Sequence, residues 1–179
     1  MSYPRNMYRK GKGVAEDDVE AVKWYRKAVE QGFAGAQLNL GNMYSTGEGV
    51  AQDYAKAVKW WRKAAEQGLA VAQSLLAISY ADGQGVEQDF AEAVKWFRKS
   101  ATQGDAGAQL FLGLFYEEGI GVAQDYVLAH MWLSLAWAQG EERAKVFLDR
   151  LVKQMTREQI AKAQKMAREW QEKHTESSD

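Results

Sequence analysis

Residues 36–68 read AQLNLGNMYSTGEGVAQDYAKAVKWWRKAAEQG. The opening third carries Ala36, Leu40 and Tyr44 at i, i+4 and i+8, one face of a helix over roughly 34–46. Gly47-Glu48-Gly49-Val50 then ends that helix, because glycine reaches the positive-φ backbone that a sharp exit requires. Asp53 stands where an N-cap belongs, its carboxylate able to accept backbone N–H bonds. A second helix over roughly 54–66 sets Ala57, Trp60 or Trp61, and Ala64 on its inner face, and Gly68 closes it. Small residues let the two helices approach, and the aromatics fill the space between layers.

The same text recurs at an offset of 36 residues. Gly-x-Gly-Val appears at 11–14, 47–50, 83–86 and 119–122. Asp17, Asp53, Asp89 and Asp125 share one place in the unit; Trp24, Trp60, Trp96 and Trp132 share another. Gly32, Gly68, Gly104 and Gly140 end the second helices, and Leu40, Leu76 and Leu112 recur in the first. The period predicts an all-α, right-handed α/α superhelical solenoid of 36-residue helix pairs, closed by a C-terminal helical cap. Its units fall at 1–32 (truncated), 33–68, 69–104 and 105–140, with capping helices and a polar tail over 141–179.

The repeat places all sixteen glycines: eight in the Gly-x-Gly loops, four at second-helix ends, and Gly35, Gly41, Gly107 and Gly113 in first helices. None remains for a phosphate-binding loop, so the recurring Gly-x-Gly is a structural turn. The single proline, Pro4, suits a helical body. The chain has no cysteine, which excludes disulfides, thiolate metal sites and cysteine nucleophiles. A formal net charge of −1 gives no global attraction to nucleic acid or to a membrane, and neither is expected as a partner.

The pattern AxAQxxLGxxYxxGxGVxQDYxxAxxWxxKAAxQG resembles the Sel1-like repeat, a relative of the tetratricopeptide repeat, over about residues 5–140. The run MTREQIAKAQKMAREW at 155–170 is similar to the tail that closes many bacterial members. The resemblance implies an α/α superhelix that serves as an adaptor or scaffold for other proteins. A cysteine-rich branch of that family is linked to β-lactam binding or hydrolysis. Nothing carries that chemistry over: there is no cysteine, no Ser-x-x-Lys and no His/carboxylate dyad.

Both ends depart from the repeat. Asn6 to Gly13 matches Asn42 to Gly49, so the first unit lacks most of its first helix and is expected to be trimmed or open. Localisation follows that point, cytoplasmic if residue 1 is the native start and periplasmic or secreted if a segment was removed. At the other end, Tyr126 to Ala138 replaces the exposed Lys59, Arg62 and Lys63 of an earlier unit by Met131, Ser134 and Leu135. A helix apolar all round needs cover on both sides. Two helices over roughly 141–155 and 157–173 are expected to supply it, with Thr156 and Gln159 as a capping box. Ile160, Ala163, Ala167 and Trp170 form the inner stripe of the last.

Candidate chemistry is sparse. His130 has no second ligand at metal spacing and reads as a packed residue, while His174 falls in a tail expected to fray. The acidic pairs Glu117-Glu118 and Glu141-Glu142 read as solvated helix ends, and the Trp24/Trp60/Trp96/Trp132 row as core. The basic rows at 23–27, 59–63 and 95–99 read as convex surface. No catalytic residue, cofactor or metal site is expected.

Function is expected where the repeats disagree, on the concave face formed by first helices. In the first full unit that gives Leu38, Asn42, Ser45 and Thr46; in the next, Ser74, Ile78 and Asp82. The third set is Leu110, Leu114, Glu117 and Glu118. An extended peptide or partner helix with apolar anchors and some positive charge suits this row. The alternatives are a structural array that self-associates through an open N-terminal end, and the hydrolase of the family analogy.

Overall fold

The computed structural model describes residues 14–175, with side chains described over 17–174. Expectations about Gly11, Gly13 and the missing part of the first unit lie outside those residues. The described chain is helical: α1 (Val14–Glu30), α2 (Ala34–Thr46), α3 (Tyr54–Glu66), α4 (Ala70–Asp82), α5 (Phe90–Ala101), α6 (Ala106–Glu118) and α7 (Tyr126–Ala138). A short helix α8 (Arg143–Leu151), a 3-10 turn (Val152–Gln154) and α9 (Arg157–Thr175) follow. Two compact units divide after Gln88.

In the first unit α1 packs on α2, α2 on α3 and α3 on α4. Val22, Leu40 and Met43 form a buried cluster, with Ala21, Tyr25, Val29, Tyr44, Val50 and Trp60 around it. Gly41 lies directly under the Trp61 indole, where any Cβ would collide with the ring. A glycine inside the helix therefore sets the distance between α2 and α3.

The loop chemistry explains why Gln-Asp recurs. Asp53 and Asp89 cap their helices by accepting from the backbone N–H groups of Lys56 (2.9 Å) and Glu92 (3.0 Å). The preceding glutamines reach back: Gln52 and Gln88 donate side-chain N–H bonds to the carbonyls of Ser45 and Ala81, each at 2.8 Å. One dipeptide thus satisfies the orphan carbonyls of one helix and the orphan amides of the next.

In the second unit α5 packs on α6, α6 on α7, and α7 on both α8 and α9. Phe97, 1% exposed, stacks on Phe111 at 5.2 Å and meets Phe115 edge-on at 5.5 Å. Asp125 accepts from Val127 and Leu128, and Gln124 bonds the Glu117 carbonyl at 2.8 Å. The cap closes as the apolar character of α7 demands. Trp132 meets Trp170 of α9 edge-on at 6.2 Å, and Ala163 and Ala167 are buried. The capping box is reciprocal: Gln159 N–H donates to the Thr156 hydroxyl at 3.2 Å, and Thr156 N–H to the Gln159 side chain at 2.9 Å.

Each unit also holds a bond that ties one helix pair to the next. Arg26 donates to the Tyr44 hydroxyl at 3.2 Å, Arg62 to Tyr80 at 2.8 Å, and Arg98 to Tyr116 at 2.6 Å. The basic rows are therefore only partly solvated, since their arginines serve as junction bonds.

Two further expectations need correction. The tryptophan row is core only in its later members. Trp96 and Trp132 are 7% and 6% exposed, Trp60 is half-buried, and Trp24 is 56% exposed with Lys27 over its ring. His174 and Thr175 belong to α9, where His174 stacks on Trp170 and its ring nitrogen meets the Trp170 carbonyl at 2.8 Å. Residues 176–179 of the expected tail lie outside the described chain.

Candidate partner-binding surfaces

The variable positions of the first unit divide by what their side chains already do. The Asn42 side-chain oxygen accepts the indole N–H of Trp61 at 2.9 Å, so Asn42 orients a core aromatic rather than facing a ligand. The hydroxyls of Ser45 and Thr46 donate back to the Asn42 carbonyl, at 2.8 and 3.1 Å. Leu38, Ser74 and Ile78 are half-buried, while Thr46 and Asp82 stand exposed at matching ends of α2 and α4.

In the second unit two of the four expected surface residues are not at the surface. Leu110 is 1% exposed, on a helix packed by α5, α7 and α8. Glu117 is 3% exposed, and the Arg150 guanidinium of α8 donates to one of its oxygens through two nitrogens, at 3.1 and 2.8 Å. The reading of Glu117-Glu118 as a solvated pair is thus corrected: α8 covers one carboxylate and leaves the other out. Glu118 is 57% exposed and Leu114 half-buried. In the other pair, the Arg143 guanidinium grips Glu141 at 2.7 and 2.9 Å and holds its carboxyl below the ordinary carboxylate value.

His130 is buried (5% exposed), with Nδ1 3.2 Å from the Ser134 hydroxyl. Burial pushes its pKa below the ordinary imidazole value of 6.5. As pH falls, the unfolded chain takes up this proton first. The stability that the neutral ring allows is complete above about pH 6.5 and is lost below it. His130→Val is therefore expected to melt closer to its pH 7.5 temperature at about pH 5 than the parent chain does. Parallel acid limbs in the two melting profiles would contradict the assignment.

Among the described residues no three His, Asp or Glu side chains gather as a metal site. Within the same residues, no helix is long and apolar enough to cross a membrane.

With the geometry in place, the chain can be set beside known proteins. The Sel1 repeat model matches residues 6–33, 34–69, 70–105 and 106–141. A protective antigen present in uropathogenic Escherichia coli strains, displaying an SLR fold, is 40% identical with a TM-score of 0.80. That match covers 93% of this chain and 36% of the antigen. A Sel1 repeat protein from Oxalobacter formigenes is 36% identical with a TM-score of 0.70, over 75% of this chain and 53% of that one. Cysteine rich protein B of Helicobacter pylori is 25% identical with a TM-score of 0.59, over 77% of this chain and 100% of that one. This chain thus spans about a third to a half of the first two structures. No curated protein matches it. Sel1 repeat proteins are generally protein-interaction scaffolds, and the family is generally non-catalytic.

Proposed function

We propose that this chain, which belongs to the Sel1 repeat family, is a non-catalytic adaptor that holds a partner peptide or protein against the first helices of its repeats. The observation that carries the reading is the fate of one repeat position. Thr46, Asp82 and Glu118 occupy the same place at the end of α2, α4 and α6, and all three are exposed. The glycine exit that follows it, Gly47, Gly83 or Gly119, never changes, yet this position differs in each of the three. A scaffold position repeats, and a recognition position varies.

The surface is narrower than the sequence row suggests. Leu38, Thr46, Ser74, Ile78 and Asp82 form a patch on the first unit, and Leu114 and Glu118 a separate patch on the second. Half-buried Leu38, Ile78 and Leu114 offer apolar anchor points, while Asp82 and Glu118 add negative charge. An extended or helical segment with aliphatic anchors and Lys or Arg suits that chemistry.

The test starts with a partner captured from the native cell and then returns to variants of this chain. Ile78→Ala, Leu114→Ala and the double charge reversal Asp82→Lys/Glu118→Lys are each expected to weaken its binding by about tenfold, with melting temperature held. Asn42→Ala should instead lower the melting temperature, because it strands the Trp61 indole N–H. Binding that survives all three surface changes overturns the reading. A captured partner displaced only by raised concentrations of this same chain, with dimers in light scattering, would favour self-association.

A further inference from the structure

Three junctions in this molecule are closed by the same pair, an arginine of a second helix and a tyrosine of the following one. In the last unit the two places hold Ser134 and Val152. One turn before the serine, where Val22, Val58 and Val94 stand in the other units, the chain has His130. The guanidinium–phenol pair is gone and a cleft of about 390 Å³ opens between α7, α8 and α9 in its place.

The lining of this cleft is chemically unlike a packing defect. His130 and Ser134 face it from α7, bonded to each other and otherwise apolar in setting. Burying an imidazole where three counterparts bury valine costs stability, even with one hydrogen bond made. Leu148, Val152 and Ala167 add an apolar wall. Of the charged groups at the rim, Lys145 is held by both oxygens of Asp149, at 3.2 and 3.1 Å, and lies over the Trp137 ring. Arg168 makes no ion pair among the described residues.

An uncommitted guanidinium above an uncharged hydrogen-bonding floor and an apolar wall defines a ligand class. One cation balances a monoanion and falls short of what a phosphate dianion requires, and the planar fork of arginine matches a carboxylate. We propose that this cleft binds a monocarboxylate with an apolar body, the carboxylate toward Arg168 and the body against Leu148 and Val152. A free organic acid and the C-terminal residue of a peptide share that chemistry. The proposal does not depend on the adaptor reading, which uses the first helices.

Proton–nitrogen correlation spectra of the isotope-labelled full chain provide the test. The probes are acetate, benzoate and 4-phenylbutyrate, the matching amides, and an acetylated Ala-Phe dipeptide with a free or amidated terminus. Saturable shifts are expected at the Trp137 indole and the Ser134 and Arg168 amides. Phenylbutyrate should bind at least about tenfold tighter than acetate or than its own amide. Arg168→Gln, a surface change that leaves packing intact, should weaken binding about tenfold. Ser134→Phe, which adds bulk without charge, should fill the cleft and abolish binding while the helical circular dichroism is kept. Binding of the dipeptide acid as well as the free acids assigns a chain terminus as the source; binding of the free acids alone assigns a small molecule. No saturable shift with any probe overturns the proposal, as does equal affinity for acid and amide or an unaffected Arg168→Gln.

Discussion

Gly85→Ala is expected to destabilise the first unit by about 3 kcal/mol or more, and Gly68→Ala by only about 1 kcal/mol, although both glycines have positive φ. The φ values are +75° at Gly85 and +92° at Gly68, so alanine is strained at either. The difference lies in the surroundings. A Cβ at Gly85 would run into the backbone carbonyl of Tyr54, the first residue of α3, whereas one at Gly68 meets nothing within 4 Å. Backbone at a helix start cannot swing aside as a side-chain tip can. Gly35→Ala provides the opposite sign: Gly35 lies in α2 with helical backbone and open space around it, so alanine should add up to about 1 kcal/mol. Urea unfolding of the three variants reads all three effects. Equal losses at Gly68 and Gly85 would show that the second glycine of the loop is not kept for close approach.

Arg150→Ala is expected to cost about 2–3 kcal/mol, large for a side chain that is half exposed. The residue matters through its partner. Glu117 is 3% exposed, its Oε1 accepts from two guanidinium nitrogens, and its Oε2 is buried with no hydrogen-bond partner in the structure. Without Arg150 the carboxylate keeps its burial and loses its counter-charge. Glu118, the other group near Arg150, carries the same sign and cannot compensate. Adding Glu117→Gln to the Arg150→Ala chain removes the stranded charge and should recover at least half of the loss. A double-mutant cycle by chemical denaturation at neutral pH separates these contributions. A loss below about 0.5 kcal/mol for Arg150→Ala would place this pair with ordinary surface ion pairs.

These two residues mark where sequence reading stopped. Helix bounds, glycine exits and aspartate caps were legible because they depend on neighbours a few residues away and recur with the period. Glu117 was misread because its cover and its counter-charge, Arg150, come from α8, a cap helix that has no counterpart in the other units. Position 42 was misread for a related reason. Its neighbours across the helix pair vary, and only at Asn42 does Trp61 stand opposite as an indole donor. The arginine–tyrosine bonds left a usable signal. Arg26, Arg62 and Arg98 precede Tyr44, Tyr80 and Tyr116 by 18 residues, half the period, which is the spacing from one helix to the next. Treating each basic row as a single solvated face hid that relation. The tryptophan row shows the converse: at one repeat position Trp132 lies against Trp170 of the cap, while Trp24 is 56% exposed.

Interchangeable junctions carry a kinetic liability. Each arginine finds the same tyrosine geometry wherever it docks, so a collapsing chain can join helices one repeat out of place and loop out the unit between. A second copy of the chain offers the same false partner, which makes domain exchange the matching hazard at high concentration. The last unit escapes this degeneracy. Ser134 and Val152 can form no such bond, and on the side away from α6 the helix α7 packs on its own cap, α8 and α9. Folding that begins at the C-terminal end therefore starts from a junction that cannot be mistaken for the three arginine–tyrosine ones.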